Sequence, residues 1–273
     1  MKNALLIFLV LTFLSCSYSQ VIYEGNISDG NSKVVLPYVN LGIVGKNVGT
    51  VSDINGNFKI ELDAKYDNDT MRISTVGYKS VVFKVSQFKN EIHKNPILQL
   101  VQDVVELKQV VVLGKKLKEK ILGNTTESRS IMAGFASNEL GNEIGVVIKI
   151  KKSPTIIKKF NVSIAHNEYE SLKFRVNFYD LKNGLPNKNI LNENIIVTGQ
   201  KKEGKITVDL RDYNIVVEDD FFVSLEWIED LGENGLFFSA GFFGSPTISR
   251  QTSQGDWKKI GNVNMGFNVT VKY

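Results

Sequence analysis

Apolar residues in this chain recur mostly at every second position, which is the signature of half-buried strands. Phe58, Ile60 and Leu62 alternate with Lys59 and Glu61, and Met71, Ile73 and Thr75 alternate with Arg72 and Ser74. Further on, Ile144, Val146, Ile148 and Ile150 share one face, and Phe174, Val176 and Phe178 share another with Lys173, Arg175 and Asn177 opposite. Shorter runs at 81–85, 97–100 and 110–113 complete a first set of strands. Runs at 156–164, 195–198, 205–210, 221–227, 235–243 and 264–272 bring a second set to about nine. Asn55-Gly56 lies between two apolar runs and predicts a hairpin on a type I′ turn, which needs positive φ at both central residues. Helical spacing is weak, the exception being Lys115–Leu122, where Leu117 and Ile121 fall four apart and predict a short linker helix. Short strands separated by turn signals predict an all-β chain of two sandwiches, the second packed like a jelly roll.

The first residues follow a different pattern. Lys2 precedes an apolar run from Ala4 to Leu14, and Ser17-Tyr18-Ser19 places small residues three and one before Gln20. This reads as a secretory signal over 1–19 with cleavage before Gln20. The run is shorter than the roughly 20 apolar residues of a transmembrane helix. Cys16 allows lipoprotein processing instead, although Phe13 and Leu14 make a poor lipobox. The expected organisation is signal peptide 1–19, first sandwich 20–113, linker 114–124 and second sandwich 125–273. Periplasm, outer membrane or cell surface is the expected location, with no transmembrane segment in the mature chain. Cys16 is the one cysteine of 273 residues, so the mature chain holds together by its cores and not by disulfides. Hydrophobic content of 42% fits a globular chain, and a formal net charge of +4 is too small for a nucleic-acid binder.

An ordered series of motifs carries a resemblance. Gly25-Asn26-Ile27-Ser28-Asp29, Leu36-Pro37-Tyr38-Val39-Asn40-Leu41 and Gly49-Thr50-Val51-Ser52-Asp53 come first. Asn55-Gly56-Asn57-Phe58 and Ser74-Thr75-Val76-Gly77-Tyr78-Lys79 follow, then Leu107-Lys108-Gln109-Val110-Val111-Val112 as a final strand. Together, Gly25–Leu113 resembles the carboxypeptidase-regulatory-like domain, a transthyretin-like β-sandwich common in exported Bacteroidetes proteins. The resemblance implies a fold and a compartment, and an accessory role without peptidase activity. Phe174–Tyr179 and Phe222–Ile228 are similar to segments in the C-terminal halves of exported Bacteroidetes proteins, which implies no activity.

Candidate chemistry is sparse. His93 and His166 are the only histidines and fall in different halves, too few for a histidine-rich metal site. No nucleophile elbow, phosphate loop or dinucleotide fingerprint occurs. Asp219-Asp220 and Glu229-Asp230 are adjacent in sequence, unlike carboxylates that face each other across a scissile bond. Asp53-x-Asn55-x-Asn57 has the alternating oxygens of a calcium loop but carries Ala64 where the closing Glu belongs, so a plain turn is the better reading. No catalytic, metal or cofactor residue is therefore expected. The expected function is non-enzymatic binding or scaffolding in a bacterial envelope, with another envelope protein or a glycan as partner. The alternatives are carbohydrate binding through Trp257, Phe242 and Phe243 in loops of the second sandwich, and a hydrolase with an unrecognised site.

Overall fold

The computed structural model describes residues 20–103, 117–135, 137–200, 202–232 and 235–273. The leader, Cys16 and the final strand expected at 107–112 lie outside the described residues. The chain is all-β, with one α-helix among the described residues.

The first sandwich has two sheets. Strands β1 (Val21–Asp29), β4 (Asn57–Leu62) and β7 (Ile97–Leu100) form one, in the order β4-β1-β7. Strands β2 (Asn40–Ile43), β3 (Gly49–Val51), β5 (Thr70–Ser74) and β6 (Val81–Lys84) form the other, in the order β3-β2-β5-β6. Phe58, Ile60 and Leu62 point inward against Leu41, Met71 and Ile73, as their alternation requires. Helix α1 (Val85–Lys94) was not expected. Its apolar residues Val85, Phe88 and Ile92 fall at helical spacing and are buried, while the rest of the run is polar. Phe88 reaches the middle of the core, with ring centroids 6.2–6.4 Å from Phe58, Phe83 and Tyr23. Pro96, just past the helix, cannot continue it.

The Asn55-Gly56 turn is present but is not the expected type I′ hairpin. Only Gly56 has positive φ (+73°); Asn55 does not. Gly56 N donates to the Asp53 carbonyl, and the Asp53 carboxylate accepts from Asn55 N and Asn57 N at 2.8 Å. The turn joins β3 to β4, which lie in different sheets, so it steps the chain across the sandwich. Asn57 Nδ2 also bonds this carboxylate, which is thus committed to holding the turn.

The second sandwich is larger. One sheet runs β13 (Leu185–Asn189), β12 (Leu172–Lys182), β17 (Phe221–Trp227), β10 (Glu143–Ile148), β19 (Thr247–Arg250), β20 (Lys258–Ile260), with β14 (Ile195–Gly199) also on β12. The facing sheet runs β21 (Asn264–Met265), β18 (Leu236–Gly241), β11 (Thr155–Asn167), β22 (Phe267–Lys272), β8 (Glu119–Gly123). It is extended by β9 (Met132–Gly134), β15 (Gly204–Asp209) and β16 (Val216–Val217). Ile144, Val146, Phe174, Val176, Phe178, Val223 and Leu225 from the first sheet meet Phe160, Val162, Phe238, Phe267 and Val269 from the second. Burial of each large side chain contributes about 1.5–3 kcal/mol. Residues 119–122, expected at the end of a linker helix, lie with Gly123 in edge strand β8 on β22 instead. A single buried side chain, Leu122, anchors it; one turn of helix could not repay its own nucleation.

Candidate functional site: a cleft between the two sandwiches

The outer face of the β12-β17-β10 sheet would ordinarily meet water. Here it is buried and charged. Arg175 is 1% exposed, and Glu143 and Glu226 are fully buried. Glu226 Oε2 accepts from Arg175 Nε at 2.8 Å and from Asn177 Nδ2 at 2.7 Å. Glu143 accepts from Arg250 Nη2 at 2.6 Å, from Asn177 Nδ2 at 3.0 Å, from Tyr179 at 3.2 Å and from Ser224. Burial raises the Glu143 pKa, and the neighbouring Glu226 adds to that. For Glu226 burial also acts upward, but Arg175 and Arg250 outweigh it and hold the carboxyl below its ordinary value.

What covers this face is the first sandwich. Arg175 Nη1 donates to the Tyr38 carbonyl at 2.7 Å and Nη2 to Asn40 Oδ1 at 2.6 Å. Asn194 donates to Thr75 Oγ1, and Gln254 Nε2 donates to Ser74 Oγ at 3.0 Å. Gly42 and Gly49 leave room for the Ser253 carbonyl, which any Cβ at either position would strike. Asn47 bonds Gln251 across the same junction. Tyr38 carries φ of +56°, an uncommon conformation for a bulky residue, which costs about 1–3 kcal/mol and needs support from its surroundings. Its carbonyl is held by Arg175, and the Lys173 ammonium lies 5.9 Å from its ring.

Beside this junction opens a cleft of about 850 Å³. Its floor is a small core shared by both sandwiches: Tyr38, Val51 and Ile228, with Leu140 packed against them. The exposed side chains Ile54 and Ile97 stand at its walls. Glu24, Asp53, Glu229 and Asp230 line it, with Lys59 as the one cation of the lining among the described residues. Glu24 pairs with Lys59 at 3.4 Å, and Glu229 with Lys173 at 2.9 Å, which raises the Lys173 pKa. Volume and apolar floor fall in the range of ordinary binding sites.

The residues singled out in the sequence do not gather here or in any one place. Trp257 is half-buried. Its ring lies edge-on to Phe222 and Tyr179, 5.2 and 5.7 Å away, with the Arg250 guanidinium 4.7 Å from its centroid. It packs over the charged network. Phe242 and Phe243 are 57% and 93% exposed, at the opposite end of the β19–β20 hairpin, where Thr247 pairs with Ile260. His166 bonds Glu168 at 3.2 Å on the surface, and His93 packs edge-on to Tyr23 in the other sandwich. Among the described residues no three His, Cys, Asp or Glu side chains converge as metal ligands. Sequence reasoning passed over Arg175 and Glu226. Their signal was weak: Glu226 is the one charge of β17, and Arg175, on the polar face of β12 with Lys173, is opposite in sign and directly paired with it in register.

Fold and junction together define an all-β protein of two docked sandwiches with a cleft between them. Residues 23–112, the N-terminal part of the chain, match the model of the CarboxypepD_reg-like domain family and are similar to such domains. Domains of this family are regulatory and not catalytic, which is compatible with a non-enzymatic protein. A comparison with curated proteins finds no match. Among the described residues no helix is long and apolar enough to cross a membrane, which says nothing about β-barrels.

Proposed function

We propose that this chain is an exported, non-enzymatic binding or scaffold protein of a bacterial cell envelope, and that a partner docks in the cleft between its sandwiches. The observation that carries this reading is the junction. Arg175 and its buried carboxylate fix one sandwich on the other, so that side chains of both form one pre-shaped apolar floor. A pre-ordered site binds without the cost of ordering itself. The pattern of residues 1–19 supports export; N-terminal sequencing of the mature chain is expected to begin at Gln20. A photo-crosslinking residue at Ile54 is expected to join the protein to a reproducible envelope partner, while the same residue at Glu218, beyond the far end of β17, is not. Equal capture at both positions, or none at Ile54, overturns the reading.

A second reading has one observation in its favour, the exposure of Phe242 and Phe243 on a loop tip. Retention by a polysaccharide gel that disappears in Phe243→Ala would place a glycan there.

A further inference from the structure

The cleft differs in sign from the molecule that contains it. The chain as a whole carries +4, yet four carboxylates line the cleft against Lys59. Lys173 sits just outside and engages Glu229, and Lys59 engages Glu24. Asp53 and Asp230 are left with no cationic partner among the described residues. Both are exposed, one on each sandwich, on either side of an apolar floor. Ile54 is 59% exposed immediately beside Asp53, and Ile97 is also exposed on the wall. The aromatic rings of the lining, Tyr38 and Phe58, are almost fully buried, so no flat face is offered to a sugar. Strand β4, whose Asn57, Phe58 and Lys59 line the cleft, pairs only with β1 among the described strands, and its outer edge is open past Asn57, whose N–H and carbonyl are taken by Asp53.

We infer that the occupant of this cleft is an extended polypeptide segment of another protein that alternates apolar and basic side chains. The inference rests on the cleft being the partner site. Apolar side chains of the segment cover Ile54, Ile97 and the shared floor. Its lysines or arginines meet Asp230, and the exposed negative charge of Asp53, whose oxygens also hold its own turn, attracts them from the other sandwich. Its backbone hydrogen-bonds to the edge of β4 from Lys59 onward, as strands do when they add to a sheet edge. Charges at such a rim select the partner and speed its arrival more than they deepen affinity, so the discrimination should fade as salt rises.

The test uses the full mature chain and three fluorescein-labelled peptides, GKLKLG, GSLSLG and GELELG, followed by fluorescence anisotropy. The basic peptide is expected to bind at least about tenfold more tightly than the acidic one at low ionic strength. Asp230→Lys is expected to remove that preference, and Ile54→Ser to weaken all binding. Glu218→Lys, which makes the same charge change at the far end of β17, is expected to leave both as they were. All three sites are exposed, so folding is not at stake. Equal affinity for the three peptides, or a preference that survives Asp230→Lys, overturns the inference. So does the absence of any peptide binding. If crosslinking from Ile54 persists in that case, the cleft remains a partner site and only the chemistry of its occupant is wrong; if crosslinking is lost too, the docking reading itself has failed.

Discussion

The two sandwiches bury polar groups in opposite ways. In the first, apart from Asn40 at the junction, the buried polar side chains whose bonds are seen serve the backbone of their own sandwich. Asp29 accepts from Asn31 N and Ser32 N, Asp63 from Lys65 N, and Ser52 Oγ from Val39 N. In the second, Glu143, Arg175, Glu226 and Arg250 form a network across four strands, and its outermost bonds end on the other sandwich. Local caps make a domain that holds its fold within itself. A buried ionic network that needs a neighbour to complete it makes a junction. Buried ion pairs are poor sources of stability, because desolvation consumes most of their attraction, but they penalise any arrangement that leaves one charge alone. Sliding one sandwich on the other would do that to Arg175.

The sharpest way to break this comparison is Arg175→Met. It leaves Glu226 buried with less compensation and removes both bonds to the first sandwich. A loss of about 3–5 kcal/mol in urea denaturation is expected, with the double variant Arg175→Met/Glu226→Gln recovering part of it. A loss below about 1 kcal/mol would mean that the network is no junction but an ordinary surface pair.

The same contrast decides how much could be read from the chain beforehand. Long alternating runs such as Leu172–Lys182 and Phe221–Trp227 were legible because period-two alternation survives over seven or more residues. Strands β16, β20 and β21 have two or three residues each, too few for any period, and exist because a neighbouring strand pairs with them. Helix α1 has three apolar residues in ten and is stable only because Phe88 enters the core. The motif series of the first sandwich marked its fold without marking the site. Alternation placed Arg175 on the polar face of β12 correctly, but nothing local states that a second sandwich covers that face. Trp257, set among polar neighbours, looked like a loop residue; its contacts with Tyr179, Phe222 and Arg250 come from distant strands.

The fit of the junction can be tested without touching a charge. Gly42→Ala places a methyl group against the Ser253 carbonyl, at a position where the strand itself would accept alanine. Overpacking of this kind costs about 1–3 kcal/mol. Gly204→Ala, where no atom lies near but φ is +92°, serves as a control for backbone strain alone. If Gly42→Ala is neutral, the two surfaces are not in firm contact.

Acidity should act on Glu143 with a sign opposite to that of the carboxylates held by backbone or arginine donors. Backbone N–H groups of Ser32 and Asn31 hold Asp29 below its ordinary value of 3.8, and that of Lys65 does the same for Asp63. Their contribution is complete above 3.8 and is lost as pH falls through the lower folded values. Glu226, held below 4.5, behaves likewise. Glu143 is raised above 4.5, so its contribution is complete below 4.5 and is lost as pH rises through its folded value. Denaturation midpoints should therefore fall on the acid side and also decline as pH rises above 4.5. The upper slope cannot exceed about 1.4 kcal/mol per pH unit for one proton. Glu143→Gln is expected to flatten that upper slope and leave the acid fall in place; an unchanged upper slope would remove Glu143 as its source.

The smallest effect separates structure from surface within the second sandwich. Trp257→Ala uncovers Arg250 and the edges of Tyr179 and Phe222, and a loss of about 1–2 kcal/mol is expected from the ring contacts and the cation–π pair. Phe243→Ala removes a side chain that is 93% exposed and should stay within about 0.5 kcal/mol of the parent chain. Should Trp257→Ala prove as neutral as Phe243→Ala, the loop carrying it does not seal the charged network, and Arg250 must be reached by water in solution.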